Sequence, residues 1–351
     1  MIINFESLKK LNKIITILIE LLLFFLIVYG IETKKEEKKK LKFKAIINFM
    51  SKRKKHFPNI PNSINIQNSI NISSSINISN SINISDLKVC VCTLGRNENR
   101  YIREFVNHYE KYGVDKIFLY DNNLVDGEKF EDVINDYIQK GFVEILNWRG
   151  RNAPVFSIMN ECYKNNKDKY DWIIFYEIDE FLNLYNYTNI KQFLSQSYFT
   201  NCQIIHLNII NHSDNDKLYY ENKSLIERFP AIVPLKQSQI SVKSIVRGHL
   251  DHLRITWMHW INPSFKGCNG FGGPTDLEHG NDFLYYVIDH YYSKSTEEFI
   301  TKISKGDAIR NDIQYVFERI EKYFNQSEIT EKKLEMIEKK LHINLDKYRN
   351  K

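Results

Sequence analysis

The chain has 351 residues, 43% of them hydrophobic and 26% charged, with a formal net charge of +6. That apolar content supports a sizeable core and excludes a chain disordered throughout. Residues 1–86 hold 14 Lys/Arg against 6 Asp/Glu, leaving 35 basic and 37 acidic residues beyond them, a near-neutral remainder that argues against a nucleic-acid partner.

A short tail, residues 1–13, precedes an almost unbroken apolar run at 14–31, IITILIELLLFFLIVYGI, in which Glu20 is the only charge. Its length suits one bilayer-spanning helix, and no Ala-x-Ala-like cleavage site follows, so it reads as an uncleaved transmembrane anchor. Lys9, Lys10 and Lys13 lie before it, whereas Lys34, Lys35, Lys38, Lys39, Lys40, Lys42 and Lys44 follow it. Counted alone, that excess keeps the C-terminal part cytoplasmic. Residues 32–86 read as a basic, low-complexity stem, with Ser-Ile-Asn-Ile recurring from Ser63, Ser69, Ser75 and Ser81. Within it Asn71, Asn77 and Asn83 each open an Asn-Ile-Ser glycosylation acceptor.

From residue 87 strand and helix signals alternate, the pattern of an α/β domain with a mainly parallel sheet. Strands are predicted at 87–93, 116–120, 142–148 and 172–176, and helices at 130–139 and 155–165. Ile102, Phe105, Val106 and Tyr109 make a helical apolar stripe that ends at Gly113, a residue suited to a left-handed cap. Residues 203–260 are strand-rich and ambiguous. From Ser295 onward the periodicity is helical, with Ser295 and Glu298 at capping-box spacing. The expected division is a domain at 87–306 and a helical extension at 307–351. The five cysteines, Cys90, Cys92, Cys162, Cys202 and Cys268, lack the paired spacing of a zinc site. Cys90 and Cys92 alternate with valine on a predicted strand and read as small core residues; the redox compartment stays open.

The strongest chemical signal is Tyr-Glu-Ile-Asp-Glu-Phe at 176–181, where an apolar strand runs directly into three acids. In extended chain Glu177 and Asp179 project to one side and can converge on a cation, and oxygen ligands favour Mg²⁺ or Mn²⁺. Such an ion stabilises the negative charge that develops on a departing diphosphate. Leu94-Gly95-Arg96-Asn97-Glu98 and Asp121-Asn122-Asn123 follow the first two predicted strands, at the sheet edge where α/β folds bind ligands.

Four ordered motifs carry a resemblance: Cys-Thr-Leu-Gly-Arg-Asn-Glu-Asn from Cys92, Lys-Tyr-Gly-Val-Asp-Lys-Ile-Phe-Leu-Tyr-Asp-Asn-Asn from Lys111, Glu-Ile-Asp-Glu-Phe from Glu177, and Asp-His-Tyr-Tyr-Ser-Lys-Ser from Asp289. Over residues 87–306 the chain resembles glycosyltransferase family 92 and its family 2-like relatives. The resemblance implies a GT-A fold, a mixed sheet flanked by helices behind an N-terminal transmembrane helix, with a Golgi-type lumenal domain in eukaryotic members. It also implies transfer of a hexose, galactose among the options, from a nucleotide-sugar donor such as a UDP-sugar to a glycan acceptor, with Mn²⁺ or Mg²⁺ as cofactor. By position, Asp121 meets the base, with Arg96, Asn97, Glu98 and Asn123 nearby. Glu177 then faces ribose and metal, Asp179 ligates the metal, and His290 resembles the late histidine ligand of GT-A enzymes. Glu stands at 177 where many relatives carry Asp.

Lys294, Arg149 and Arg151 are candidates for the diphosphate. An inverting transfer needs a general base, for which Asp276 and Glu278, in a Gly-rich stretch, are the candidates. His259, between Trp257 and Trp260, is a candidate for lining an acceptor site; Lys243 and Arg247 are left without a role. The alternative is a catalytically silent, membrane-tethered protein that binds glycans or nucleotide sugars. A metal-dependent phosphohydrolase ranks below both, because no histidine-rich set accompanies the acids.

Overall fold

Alternating small and branched apolar residues make β1 (Val89–Gly95), which is buried on both faces as a central parallel strand must be. The stripe seen in the sequence forms one face of α1 (Asn99–Lys111), where Ile102, Phe105, Val106 and Tyr109 are fully buried. Gly113 follows at φ +80°, a conformation that ends the helix and that a side chain would strain. Then come β2 (Lys116–Asp121), α2 (Glu131–Gln139), β3 (Val143–Asn147), α3 (Val155–Asn166) and β4 (Trp172–Phe175). The computed structural model describes residues 86–151, 155–234, 241–256, 259, 264–275, 286–306 and 312–349, all within the unit Ile78–Lys351. The apolar run 14–31, the stem, Trp257, Trp260, Asp276 and Glu278 lie outside them. Among the described residues no helix is long and apolar enough to cross a membrane.

The second half is not a continuation of the parallel pattern. After β5 (Glu180–Asn183) and α4 (Ile190–Leu194) come β6 (Ile204–Asn211), α5 (Leu225–Arg228), β7 (Val242–Arg247), the short β8 (Gly267–Cys268) and β9 (Val287–His290). Among the described residues the strands form one sheet in the order β3-β2-β1-β4-β7-β6-β9-β5, with β8 on β6. The first four are mutually parallel; β7 pairs antiparallel to both β4 and β6, and β5 antiparallel to β9. Among the described strands the sheet is mixed, as the resemblance implied, with β6 also parallel to β8 and β9 so that parallel pairing predominates, and the expected strand at 87–93 is displaced to Val89–Gly95.

In a 3-2-1-4 arrangement the chain crosses from one side of β1 to the other between β3 and β4, and the crevice opens outside the carboxyl ends of the adjacent strands β1 and β4. Gly95 closes β1 there, and a methyl group on it would sit 2.5 Å from Phe130 and 2.6 Å from Ile178. The adjacent recess is lined by Thr93, Leu94, Val155, Glu177 and Lys243. One core layer packs α1 and α2 on the sheet around Phe105, Phe130 and Trp172; the other packs α3 around Phe118, Cys162 and Ile173. Phe105, Phe130, Phe118 and Ile173 each contribute about 1.5–3 kcal/mol of burial energy.

The cysteines are corrected by the tertiary structure. Cys92 on β1 is bonded to Cys162 on α3, and Cys202 to Cys268 on β8, so Cys92 is not simply a small core residue; Cys90 is the free, buried thiol. Past 306, α7 (Ile313–Phe324), α8 (Glu331–Leu341) and α9 (Asp346–Arg349) share a cluster with α6 (Thr296–Ser304), in which Phe299 stacks on Tyr323 at 4.1 Å. Ser295 and Glu298 form the expected capping box at the start of α6.

Candidate functional site

The three acids do not lie on an extended chain. Beyond β4 the backbone turns, with Glu180 N donating to Glu177 O at 3.0 Å, and the Glu177 and Glu180 carboxylates meet on Lys243 while Asp179 meets Lys294 and Lys302. Strand pairing supplies the third member: β5 and β9 set Glu180 opposite His290. One ligand atom each from Glu177, Glu180 and His290 lie within 4.8 Å of one another. His290 Nδ1 faces Asn211 Oδ1 at 3.0 Å, which leaves Nε2 turned toward Asp179 (3.6 Å) and Glu180 (4.0 Å). Such an outer partner fixes the ring orientation that a metal-ligating histidine needs.

Lysines set the charge balance. Lys243, 1% exposed, lies 3.0 Å from both Glu177 Oε2 and Glu180 Oε1, and Lys294 and Lys302 both reach Asp179 Oδ2 at 2.7 Å. Lys294 does so from a left-handed backbone, φ +51°, a strained state that the surrounding contacts hold in place. Burial opposes ionisation of Asp179, yet Lys294, Lys302 and His290 outweigh it and hold its carboxyl well below the usual range. Glu177 is likewise lowered against burial, chiefly by Lys243, and keeps 40% of its side chain open to the recess. For Glu180, fully enclosed, burial prevails and, with Glu177 and Asp179 adding to it, raises the carboxyl despite Lys243. Burial also lowers His290, favouring the neutral imidazole that a metal requires.

Does a divalent cation fit? Two carboxylates and an imidazole are a donor set for Mn²⁺ or Mg²⁺. Glu180 Oε1 is buried, with the Lys243 ammonium 3.0 Å away and His290 Nε2 at 4.0 Å. The residues fit, with the qualification that the ion shares both carboxylates with the Lys243 ammonium.

A second group of expected residues gathers at the ends of β1, β2 and β3. Asn123 Oδ1 accepts from Asn97 N at 2.7 Å, tying the two loops, and Asn123 in turn donates to Asp121 Oδ1 at 2.8 Å. Asp121, expected to meet the base, turns its carboxylate inward, with Oδ2 accepting from Arg149 Nε at 2.7 Å. Arg149, expected on the diphosphate, spends its remaining donors on the carbonyls of Leu124, Val125, Gly127 and Glu128 and so pins the loop after β2. Arg149→Ala is therefore expected to loosen residues 122–128, costing about 1–3 kcal/mol; limited proteolysis cutting that loop faster, with a lower melting temperature, checks it. Arg151 is exposed, 5.0 Å from the Trp148 ring centre. Among the described residues the buried Nε of Arg96 has no hydrogen-bond partner. Helix α6 joins the two groups, since Lys302 bonds Asp179 while Lys305, just past its end, reaches Glu98 at 2.7 Å and the carbonyl of Arg96.

The sequence model of glycosyltransferase family 92 matches residues 85–345, three-quarters of the chain and all four motifs. The chain belongs to glycosyltransferase family 92. A family 92 protein of Oryza sativa subsp. japonica is 30% identical over 230 residues, covering 65% of this chain and 33% of the rice protein. One of Ricinus communis is 26% identical over 240 residues, 64% of this chain and 39% of that protein. The chain thus aligns with little more than a third of those relatives. Among solved structures, S. aureus TarS 1–349 aligns over 68% of this chain and 71% of its own at 11% identity, with a TM-score of 0.34.

In this family 92 domain, sequence reasoning missed Glu180, Lys243 and Lys302. Glu180 stood in the acidic run and was passed over because extended geometry puts alternate residues together, whereas a turn joins residues three apart. Lys243 carried no local signal; only the β4-β7-β6 pairing delivers it to the acids. His259 faces Ser241 Oγ at 3.0 Å and Val242 O at 3.2 Å, and burial lowers its ring to about 4. Arg247 donates to the carbonyls of Cys202 and Phe199 and lies over Trp172, a structural duty.

Proposed function

We propose that this protein transfers a hexosyl residue, galactose among the options, from a UDP-sugar to a glycan hydroxyl with Mn²⁺ or Mg²⁺. The observation that carries this reading is the convergence of Glu177, Glu180 and His290 beside the crevice of a family 92 domain. A cation held there supplies Lewis-acid stabilisation to the departing diphosphate. The protein's own groups do the rest: the loops carrying Arg96, Asn97 and Asn123 receive the nucleotide, and Lys302 and Lys294 keep Asp179 ionised beside the imidazole. In the transfer the sugar C1–oxygen bond to phosphate breaks, a bond to the acceptor oxygen forms, and the acceptor's proton passes to a general base. Asp276 and Glu278 are the proposed bases of an inverting reaction.

The run at 14–31 is proposed as the membrane anchor. For a eukaryotic chain the proposed orientation is a lumenal domain, a reading supported by two disulfides, which persist in an oxidising compartment, against the count of flanking lysines. A silent nucleotide-sugar-binding protein is the second reading, favoured by Lys243 already occupying both carboxylates.

Incubating the full chain with UDP-sugars and Mn²⁺ decides between them. We expect donor hydrolysis or transfer that falls at least roughly 100-fold in Glu180→Gln, as loss of a transition-state charge contact does. Binding without turnover supports the silent reading; a folded protein that neither binds nor cleaves any UDP-sugar removes both.

A further inference from the structure

We propose that Lys322, on α7, is a donor-binding residue that takes an anionic oxygen of the nucleotide sugar's diphosphate beside the acidic triad. The inference rests on the glycosyl-transfer reading of that site and assigns it a substrate contact from the segment past residue 306.

The charge ledger around the triad singles this residue out. Lys243 is held by Glu177 and Glu180, Lys294 and Lys302 by Asp179, and Lys305 by Glu98. Lys322 is half-buried and, among the described residues, makes no ion pair; its Nζ lies 4.2 Å from the centre of the Tyr292 ring. Lys302 Nζ lies 4.5 Å from that same ring centre, so one aromatic side chain, two residues beyond His290, gathers two ammonium groups next to the acids. An aromatic face supports a partly desolvated cation but does not neutralise it.

Burial first, then the neighbouring Arg319 and Lys302, push the Lys322 ammonium down to about 8, with Glu177 and Asp179 acting in the opposite sense. A lysine retained for stability alone looks different. On the next helix Lys333, also buried, sits 2.8 Å from Asp214 and 2.7 Å from Asp216. Among the described residues Lys322 has no carboxylate at ion-pair distance, and a diphosphate brought to the triad supplies it with several anionic oxygens.

The test is calorimetric binding of UDP and of uridine to the full chain with saturating Mn²⁺. We expect Lys322→Met to weaken UDP roughly 10- to 100-fold, the loss typical of one charge-assisted hydrogen bond, and to leave uridine unchanged. Lys322→Arg is expected to keep UDP affinity within a few-fold. In the unaltered protein, UDP but not uridine should shield Lys322 from amine acylation read by mass spectrometry, a measurement that does not depend on how the variants fold. Undiminished UDP affinity in folded Lys322→Met, an equal loss for UDP and uridine, or unshielded Lys322 in the UDP-bound protein overturns the assignment and leaves the transferase reading standing. Failure of the unaltered protein to bind any nucleoside diphosphate overturns both.

Discussion

Replacing Lys243 with methionine lowers folding stability by about 3 kcal/mol and makes the protein's melting temperature depend more steeply on Mn²⁺. The first effect is the cost of removing one partner from a buried charge cluster, typically about 3–5 kcal/mol. The lower end applies because Glu177 keeps 40% of its side chain open, and because Glu180, already raised by burial, escapes part of the penalty by taking up a proton. The second effect follows from shared ligands. In the unaltered protein a divalent ion competes with the ammonium that stands 3.0 Å from each carboxylate; in the variant it becomes the only cation between them. At a concentration of 100 times its dissociation constant the ion returns about 2.7 kcal/mol by mass action. Thermal melts with and without Mn²⁺ or Mg²⁺ measure both effects. A Lys243→Met protein whose melting temperature ignores both metals rules out Glu177, Glu180 and His290 as a cation site.

The second large effect is covalent. The Cys92–Cys162 bond closes a separation of 70 residues and pins α3 to the central strand, and Cys202–Cys268 closes 66. In the chain-entropy picture the loss of either bond costs about 4 kcal/mol, so the double substitution Cys92→Ser, Cys162→Ser should melt far below the unaltered protein. The unaltered chain, denatured without reductant, should titrate as one thiol, that of Cys90. Five titratable thiols in protein from a eukaryotic secretory pathway would show that the bonds do not form. Glycans on Asn71, Asn77 or Asn83 in the same preparation report a lumenal stem, because modification of those acceptors occurs only there. Bare acceptors together with five thiols return the domain to the cytoplasmic side that the flanking lysines indicate.

What the amino-acid order by itself determined is the half of the fold built from local periodicity. The α1 stripe, the cap at Gly113, the capping box of Ser295 and Glu298, and the alternation through β4 each depend on residues within a few positions of one another. The four motifs were legible for the same reason, and they led to the family. The tertiary structure alone decided how distant pieces meet. Antiparallel β7 brings Lys243 across 66 positions to Glu177, and β9 sets His290 opposite Glu180. One backbone turn adds Glu180 to Glu177, while Asp179 stays 3.6 Å from the same His290 imidazole. Charge compensation is settled in the same way: a buried carboxylate takes its counter-cation from whichever strand or helix packs beside it, and nothing in the neighbouring sequence records which one that is.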